Sequence, residues 1–183
     1  MKLKPDDKWY WFFNEEYNRV MLSISHQTLF CSRFPIKMLI SDAYLRVPFS
    51  VEDATLLFQF DESVQKLPLS DEQKAQLQLN ALVAHRLLKP MMPKSWFFSQ
   101  QMATITPVLA QIVAVHCFDS DETAILLVVE AGESASLCLL AQPQLVLQDK
   151  VYQLGDPIKI MNDRFMPVEF VASQPASAYG AVV

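Results

Sequence analysis

The stretch between Leu69 and Pro90 carries both ends of a helix in its own residues, and it organises the rest of the chain. Ser70 and Gln73 stand at the spacing of a capping box, and Asp71 and Glu72 oppose the positive end of a helix dipole in the first turn. Leu77, Ala81, Ala84 and Leu88 follow at steps of four, three and four, so the sequence predicts a helix over about 71–88 with one apolar stripe to bury. His85 and Arg86 suit its negative end, and Pro90 stops it.

The period changes on either side of this helix. Residues 9–13 form an aromatic run, Asn14-Glu15-Glu16 reads as a turn, and residues 19–25 alternate as a strand, which together predict a hairpin. Residues 28–32 offer a third strand and residues 55–60 another; residues 34–45 stay open between helix and loop because Pro35 and the Ser41-Asp42 pair interrupt them. Beyond residue 100 come seven short apolar runs, at 111–117, 123–130, 135–142, 145–148, 151–154, 158–161 and 165–170, separated by brief turn signals such as Asp119-Ser120-Asp121 and Gly155-Asp156. Connections this short suit an antiparallel meander or small barrel and leave no room for parallel crossovers. The expected class is α+β: an N-terminal α/β domain over 1–100, a twisted, barrel-like all-β domain over 101–171, and a disordered tail over 172–183.

Charge and composition narrow the function. Residues 1–100 hold 12 Lys/Arg against 11 Asp/Glu, and residues 101–183 hold 3 against 9. A formal net charge of -5 with no run of Lys/Arg argues against a nucleic-acid partner, and the more basic first half is the expected docking side for an acidic segment. No run is long enough to span a bilayer and the first residues lack a signal peptide's apolar region, so we expect a cytoplasmic protein with no membrane partner. Cys31, Cys117 and Cys138 are too widely spaced for a disulfide framework or a C-x-x-C metal site, and read as buried thiols.

Three glycines in 183 residues, against roughly 7% in ordinary chains, leave no material for a phosphate loop, a dinucleotide turn or a nucleophile elbow. His26, His85 and His116 show no metal-ligand spacing. The carboxylate pairs Glu15-Glu16, Glu52-Asp53, Asp61-Glu62 and Asp121-Glu122 lie in polar, turn-like contexts that would not split their pKa values. We therefore expect no catalytic residues, no metal and no cofactor.

Binding machinery is better represented. From Leu88 to Phe98 the chain reads LKPMMPKSWFF: two lysines around a proline-stiffened, Met-rich segment ending in aromatics. Proline lowers the ordering cost, methionine adapts to varied surfaces, and Trp with Phe supplies anchors. The bland alternative is a rigid linker whose Trp96 and Phe98 belong to the core. Arg33, Lys37, Lys159 and Arg164 are further cations beside apolar neighbours.

Five long collinear blocks, KPDDKWYWFFNEEYNRVML (4–22), SRFPIKML (32–39), LSDEQKAQLQLNALVAHRLLKPMMPKSW (69–96), LLVVEAGESASLCLLAQP (126–143) and QLGDPIKIMNDR (153–164), resemble the ZapC family of bacterial cell-division proteins, which bind the tubulin-like GTPase FtsZ. Residues 44–56, 99–118 and those beyond Pro167 carry no part of the resemblance. It implies a non-enzymatic protein recruited to the mid-cell division ring, where it promotes lateral contacts between FtsZ filaments and reduces FtsZ GTPase activity. On the matched blocks, Lys89 and Lys94 are the expected clamps for an acidic partner group, with Arg164 as a third. Leu22, Trp96 and Phe98 are candidates for an apolar groove. Bundling then requires two filament sites on one chain or self-association, and the residues leave both open. The competing readings are an enzyme with a dispersed active site and an OB-type nucleic-acid-binding barrel; scarce glycine and net acidity disfavour both.

Overall fold

The computed structural model describes residues 2–170. The opening aromatic run forms strand β1 (Tyr10–Asn14), which turns back into β2 (Arg19–Ser25) and then β3 (Thr28–Cys31). Asn14 accepts the Tyr17 N–H through its side chain, and Asn18 takes the left-handed conformation at φ 54°, so the turn residues set the register Asn14 opposite Arg19. The short β4 (Val47–Pro48) completes an antiparallel sheet in the order β3-β2-β1-β4. Residues 34–45 resolve into two 3-10 helical turns, Ile36–Met38 and Ser41–Tyr44.

The strand expected at 55–60 is instead the middle of helix α1 (Val51–Val64). Ser50 and Asp53 form its capping box, the Ser50 hydroxyl accepting the Asp53 N–H at 3.0 Å and the Asp53 carboxylate accepting the Ser50 N–H at 3.0 Å. Asp53 is only 1% exposed and also accepts the Trp11 indole N–H at 3.1 Å and the Arg86 guanidinium at 2.9 Å. A cap read locally as a pair of solvated carboxylates is thus a junction of three elements.

Helix α2 (Asp71–Leu87) starts at the expected box: Gln73 donates its N–H to the Ser70 hydroxyl and accepts the Ser70 N–H. Its burial exceeds one stripe, since every residue from Leu77 to Ala84 is buried. The reason is that α2 packs against α1 and also against the second half of the chain at β6 (Thr123–Glu130).

That half supplies β5 (Ile112–His116), β6, β7 (Ala135–Leu140), the hairpin β8 (Gln144–Leu147) and β9 (Lys150–Gln153), β10 (Pro157–Met161) and β11 (Met166–Pro167). Five of these strands form an antiparallel sheet in the order β10-β7-β6-β5-β11, and β8 pairs with β9 apart from it. Neither sheet closes on itself among the described residues, so in place of the expected barrel the β8–β9 hairpin packs over one face of an open sheet. The strand expected at 165–170 shrinks to β11, and the tail expected over 172–183 lies outside the described residues.

The large sheet is buried on both faces. One face, with Val113, Leu126, Val128 and Ile160, packs with Leu145 and Tyr152 of the hairpin and with Phe98 and Phe165. The other, with Ile112, Leu127, Val129, Leu137 and Leu139, joins α1, α2 and the first sheet in one continuous core. Polar ties reinforce this junction: Arg33 donates to Asp156 at 2.7 Å and to the Leu154 carbonyl at 2.6 Å, and His85 meets the Val129 carbonyl at 2.7 Å. Gly155, at φ 85°, lets the β9–β10 turn pass close to the Arg33 side chain.

Cys117 and Cys138 are buried, and burial pushes both thiols up from their ordinary range. Cys31 corrects the expectation of three buried thiols, because it is exposed on β3 at the edge of the first sheet. A thiol reagent should therefore titrate one cysteine in the native protein and three after denaturation, with Cys31→Ser removing the native signal. Replacing Asp53 with Ala leaves the buried Trp11 indole N–H without a partner, releases the solvent-reached Arg86 and removes the cap, and should cost about 2–3 kcal/mol, compared with about 1 kcal/mol for Ser50→Ala, as read from urea unfolding midpoints. Equal losses for the two variants would mean that Asp53 acts only as a helix cap.

Candidate functional site

The segment from Leu88 to Phe98 leaves α2, crosses the junction of the two halves and is fastened along its length. Lys89 donates its backbone N–H to the Met38 carbonyl and its ammonium to the Lys37 carbonyl at 3.1 Å. Lys94 donates its N–H to the Lys159 carbonyl of β10 at 2.8 Å. The Ser95 hydroxyl accepts the Met161 N–H at 2.8 Å, at the start of a 3-10 helical turn, Ser95–Phe97. Phe98 bridges to Cys117, and Arg164 donates its Nε–H to the Phe98 carbonyl at 3.2 Å. A proline-rich linker has become a rigid strap.

The 3-10 turn sends neighbouring aromatics in opposite directions. Trp96 is 64% exposed, whereas Phe98, two residues on, is 3% exposed and belongs to the second core. Phe97 lies between them, its ring centroid 5.5 Å from that of Trp96, and its carbonyl accepts the Phe118 N–H at 2.8 Å. Met92, Trp96 and Phe118 are thus exposed large apolar side chains on or beside the strap.

The cations divide into two kinds. Arg33, Arg86 and Arg164 each pair with an aspartate, respectively Asp156, Asp53 and Asp163. Lys37, Lys89, Lys94, Lys150 and Lys159 form no ion pair among the described residues. Lys94 instead reaches the Tyr152 hydroxyl at 3.5 Å, and Lys150 sits 4.6 Å from the centroid of the same ring. Two ammonium groups therefore converge on Tyr152, a feature with no local signature, because β9 is distant from the strap in sequence.

Among the sequence-predicted contacts, Lys89, Lys94 and Trp96 lie together on the strap with accessible groups. The structure places the other three differently. Leu22 is wholly buried, paired across from Trp11 and Phe30 in the middle of the first sheet. Phe98 is core, and Arg164 spends its guanidinium on Asp163 and the strap's own carbonyl. These residues hold the surface from beneath.

The grouping nearest to a catalytic constellation is Ser99, 3.2 Å from His116 Nδ1, with His116 Nε2 2.7 Å from Asp121. The Asp121 side chain is 96% exposed and sits on the loop between β5 and β6, so this chain of hydrogen bonds tethers the strap's end to that loop and provides no sheltered site for a reacting group. No cluster of three or more His, Cys, Asp or Glu suited to a metal occurs among the described residues. No helix among them is long and apolar enough to cross a membrane.

In comparison with known proteins, two family models meet at the start of the strap. The family described as "Cell-division protein ZapC, N-terminal" matches residues 2–89, and "Cell-division protein ZapC, C-terminal" matches residues 90–170. The chain is 49% identical to the cell division protein ZapC of Proteus mirabilis, with 90% of each chain covered. It is 45% identical to that of Xenorhabdus bovienii over the whole of both chains, and 35% identical to that of Vibrio cholerae over 96% of this chain and 98% of the relative. Matches to both family segments, and relatives of the same length and description, lead to one conclusion: the chain belongs to the ZapC family of cell division proteins.

Proposed function

We propose that this division protein is a non-enzymatic adhesive for FtsZ filaments, gripping them through the strap and thereby favouring their lateral association at the mid-cell ring in the cytoplasm. The observation that carries the reading is the set of unpaired lysines, Lys89 and Lys94 with Lys150 beside them, around exposed Met92 and Trp96 on a fastened segment. An unpaired ammonium group attracts an acidic partner without first breaking an internal pair, and a rigid aromatic anchor loses little entropy on docking. Family membership supports the cell-division setting.

The energetics need only be modest. A contact of micromolar strength is worth roughly 8 kcal/mol, and a filament offers many copies of its surface, so weak sites suffice when one unit bridges two filaments. A ligand that binds the polymer in preference to the subunit opposes disassembly by linkage, which slows GTP turnover with no catalytic group of its own.

Lys94→Glu combined with Trp96→Ala should weaken co-sedimentation with GTP-assembled FtsZ at least ~30-fold, the equivalent of about 2 kcal/mol, while leaving the thermal unfolding midpoint within a few degrees of the parent. Phe98→Ala should instead lower that midpoint. Undiminished pelleting by the double variant would remove the strap from the contact.

A further inference from the structure

The four edge strands of the two larger sheets are not protected alike. β4 ends in Pro48, β10 begins with Pro157 and β11 ends in Pro167, and proline on an edge blocks the addition of another strand. β3, Thr28-Leu29-Phe30-Cys31, carries neither proline nor charge. Ser32 donates its N–H to the Val20 carbonyl and Phe30 stands opposite Leu22, so by the alternation of an antiparallel ladder the main-chain groups of Leu29 and Cys31 face outward. No described element pairs with them.

This bare edge borders a groove of about 760 Å³ between β3 and α2. Its apolar lining includes Leu3, Ile24, Leu29, Phe30 and Leu79. Leu29 is 54% exposed. Glu72, in the first turn of α2, lies on the rim and makes no ion pair among the described residues. Because Arg33 bonds to Asn80 near the other end of the groove, Glu72 lies toward the Thr28 end. An open strand edge beside a helix wall is the arrangement by which folded domains capture an extended peptide: main-chain bonds supply affinity and alternate side chains enter the groove.

We infer that the β3–α2 groove is a strand-addition site for an extended segment of the partner protein, with apolar side chains at alternate positions and a basic residue over Glu72. Its ligand chemistry is thus opposite in charge to that of the lysine-lined strap, and the groove gives one chain two distinct contacts. The assignment of that partner to FtsZ rests on the proposed function; the groove's chemistry does not.

Cys31 provides a built-in reporter, because it is the exposed thiol on this edge while Cys117 and Cys138 are buried. The experiment follows its alkylation by N-ethylmaleimide in the full chain, alone, with GTP-assembled FtsZ, and with a synthetic hexapeptide of alternating Val and Thr ending in Arg. At about ten times the dissociation constant, either occupant should slow alkylation ~tenfold. Leu29→Lys should abolish the protection, and Glu72→Lys should weaken the peptide's effect several-fold; both sites are exposed, so the fold should tolerate them. FtsZ that pellets with the chain while both occupants leave Cys31 reacting at its free rate overturns the groove and spares the proposed function. Peptide protection without any FtsZ pelleting supports the groove and overturns FtsZ as the partner. Absence of both effects overturns both readings, and a reactivity that falls with the protein's own concentration assigns the edge to a second copy and overturns the peptide reading.

Discussion

The buried carboxylate of Asp53 holds three elements in one relation, and the placement of the strap follows from it. It caps α1, receives the indole of Trp11 from β1 and receives Arg86 from the last turn of α2. Buried ion pairs are a poor source of net stability because desolvation offsets much of the attraction; what they enforce is geometry, since every other arrangement leaves a charge or donor unpaired in the interior. Here the enforced geometry is the position of the C-terminal end of α2. One turn later, Lys89 enters the strap, so the strap inherits its orientation from Asp53.

The same logic separates three arginines from the lysines around the strap. These guanidinium groups, planar and able to donate in several directions, tie elements together: Arg86 joins the end of α2 to Asp53, Arg33 crosses the junction, and Arg164 fastens the strap. Lysines carry the charge left for the outside. With a formal net charge of -5 the protein as a whole repels acidic partners, yet the lysines around the strap present a local field of the opposite sign. Local fields of this kind govern encounter and register more than final affinity, and affinity falls to the apolar anchors beside them.

Legibility in the sequence followed the range of the interaction concerned. Helix α2 was readable because its cap, its stripe and its stop are all local, and the strands beyond residue 100 were readable because short turn signals separate them. Helix α1 was missed although Ser50-x-x-Asp53 has capping-box spacing, since aspartate there reads equally well as a solvated partner of Glu52, and residues 55–60 are apolar enough to pass for a strand. Leu22 reads as a contact because it closes a matched block, and Phe98 because it ends the aromatic strap, but burial is a property of the whole sheet and core. Nothing in the sequence separates Trp96 from Phe98; the 3-10 turn between them does. Nor can local sequence identify an edge strand, because that status depends on which other strands pair.

One consequence of the shared core concerns bridging. Had the halves been joined by a loose tether, two contacts on one chain would have swept out many relative orientations, and the second contact would have gained little from the first. Here α2 is buried against both halves, Arg33 spans from the rim of the β3–α2 groove to Asp156 in the β9–β10 turn, and Lys94 is bonded to β10 just beyond that turn. The strap and the groove are therefore connected through a few rigid steps with no hinge between them. If both proposed contacts hold, a rigid spacing between them would select one separation between filaments, which is what distinguishes ordered lateral association from indiscriminate clumping.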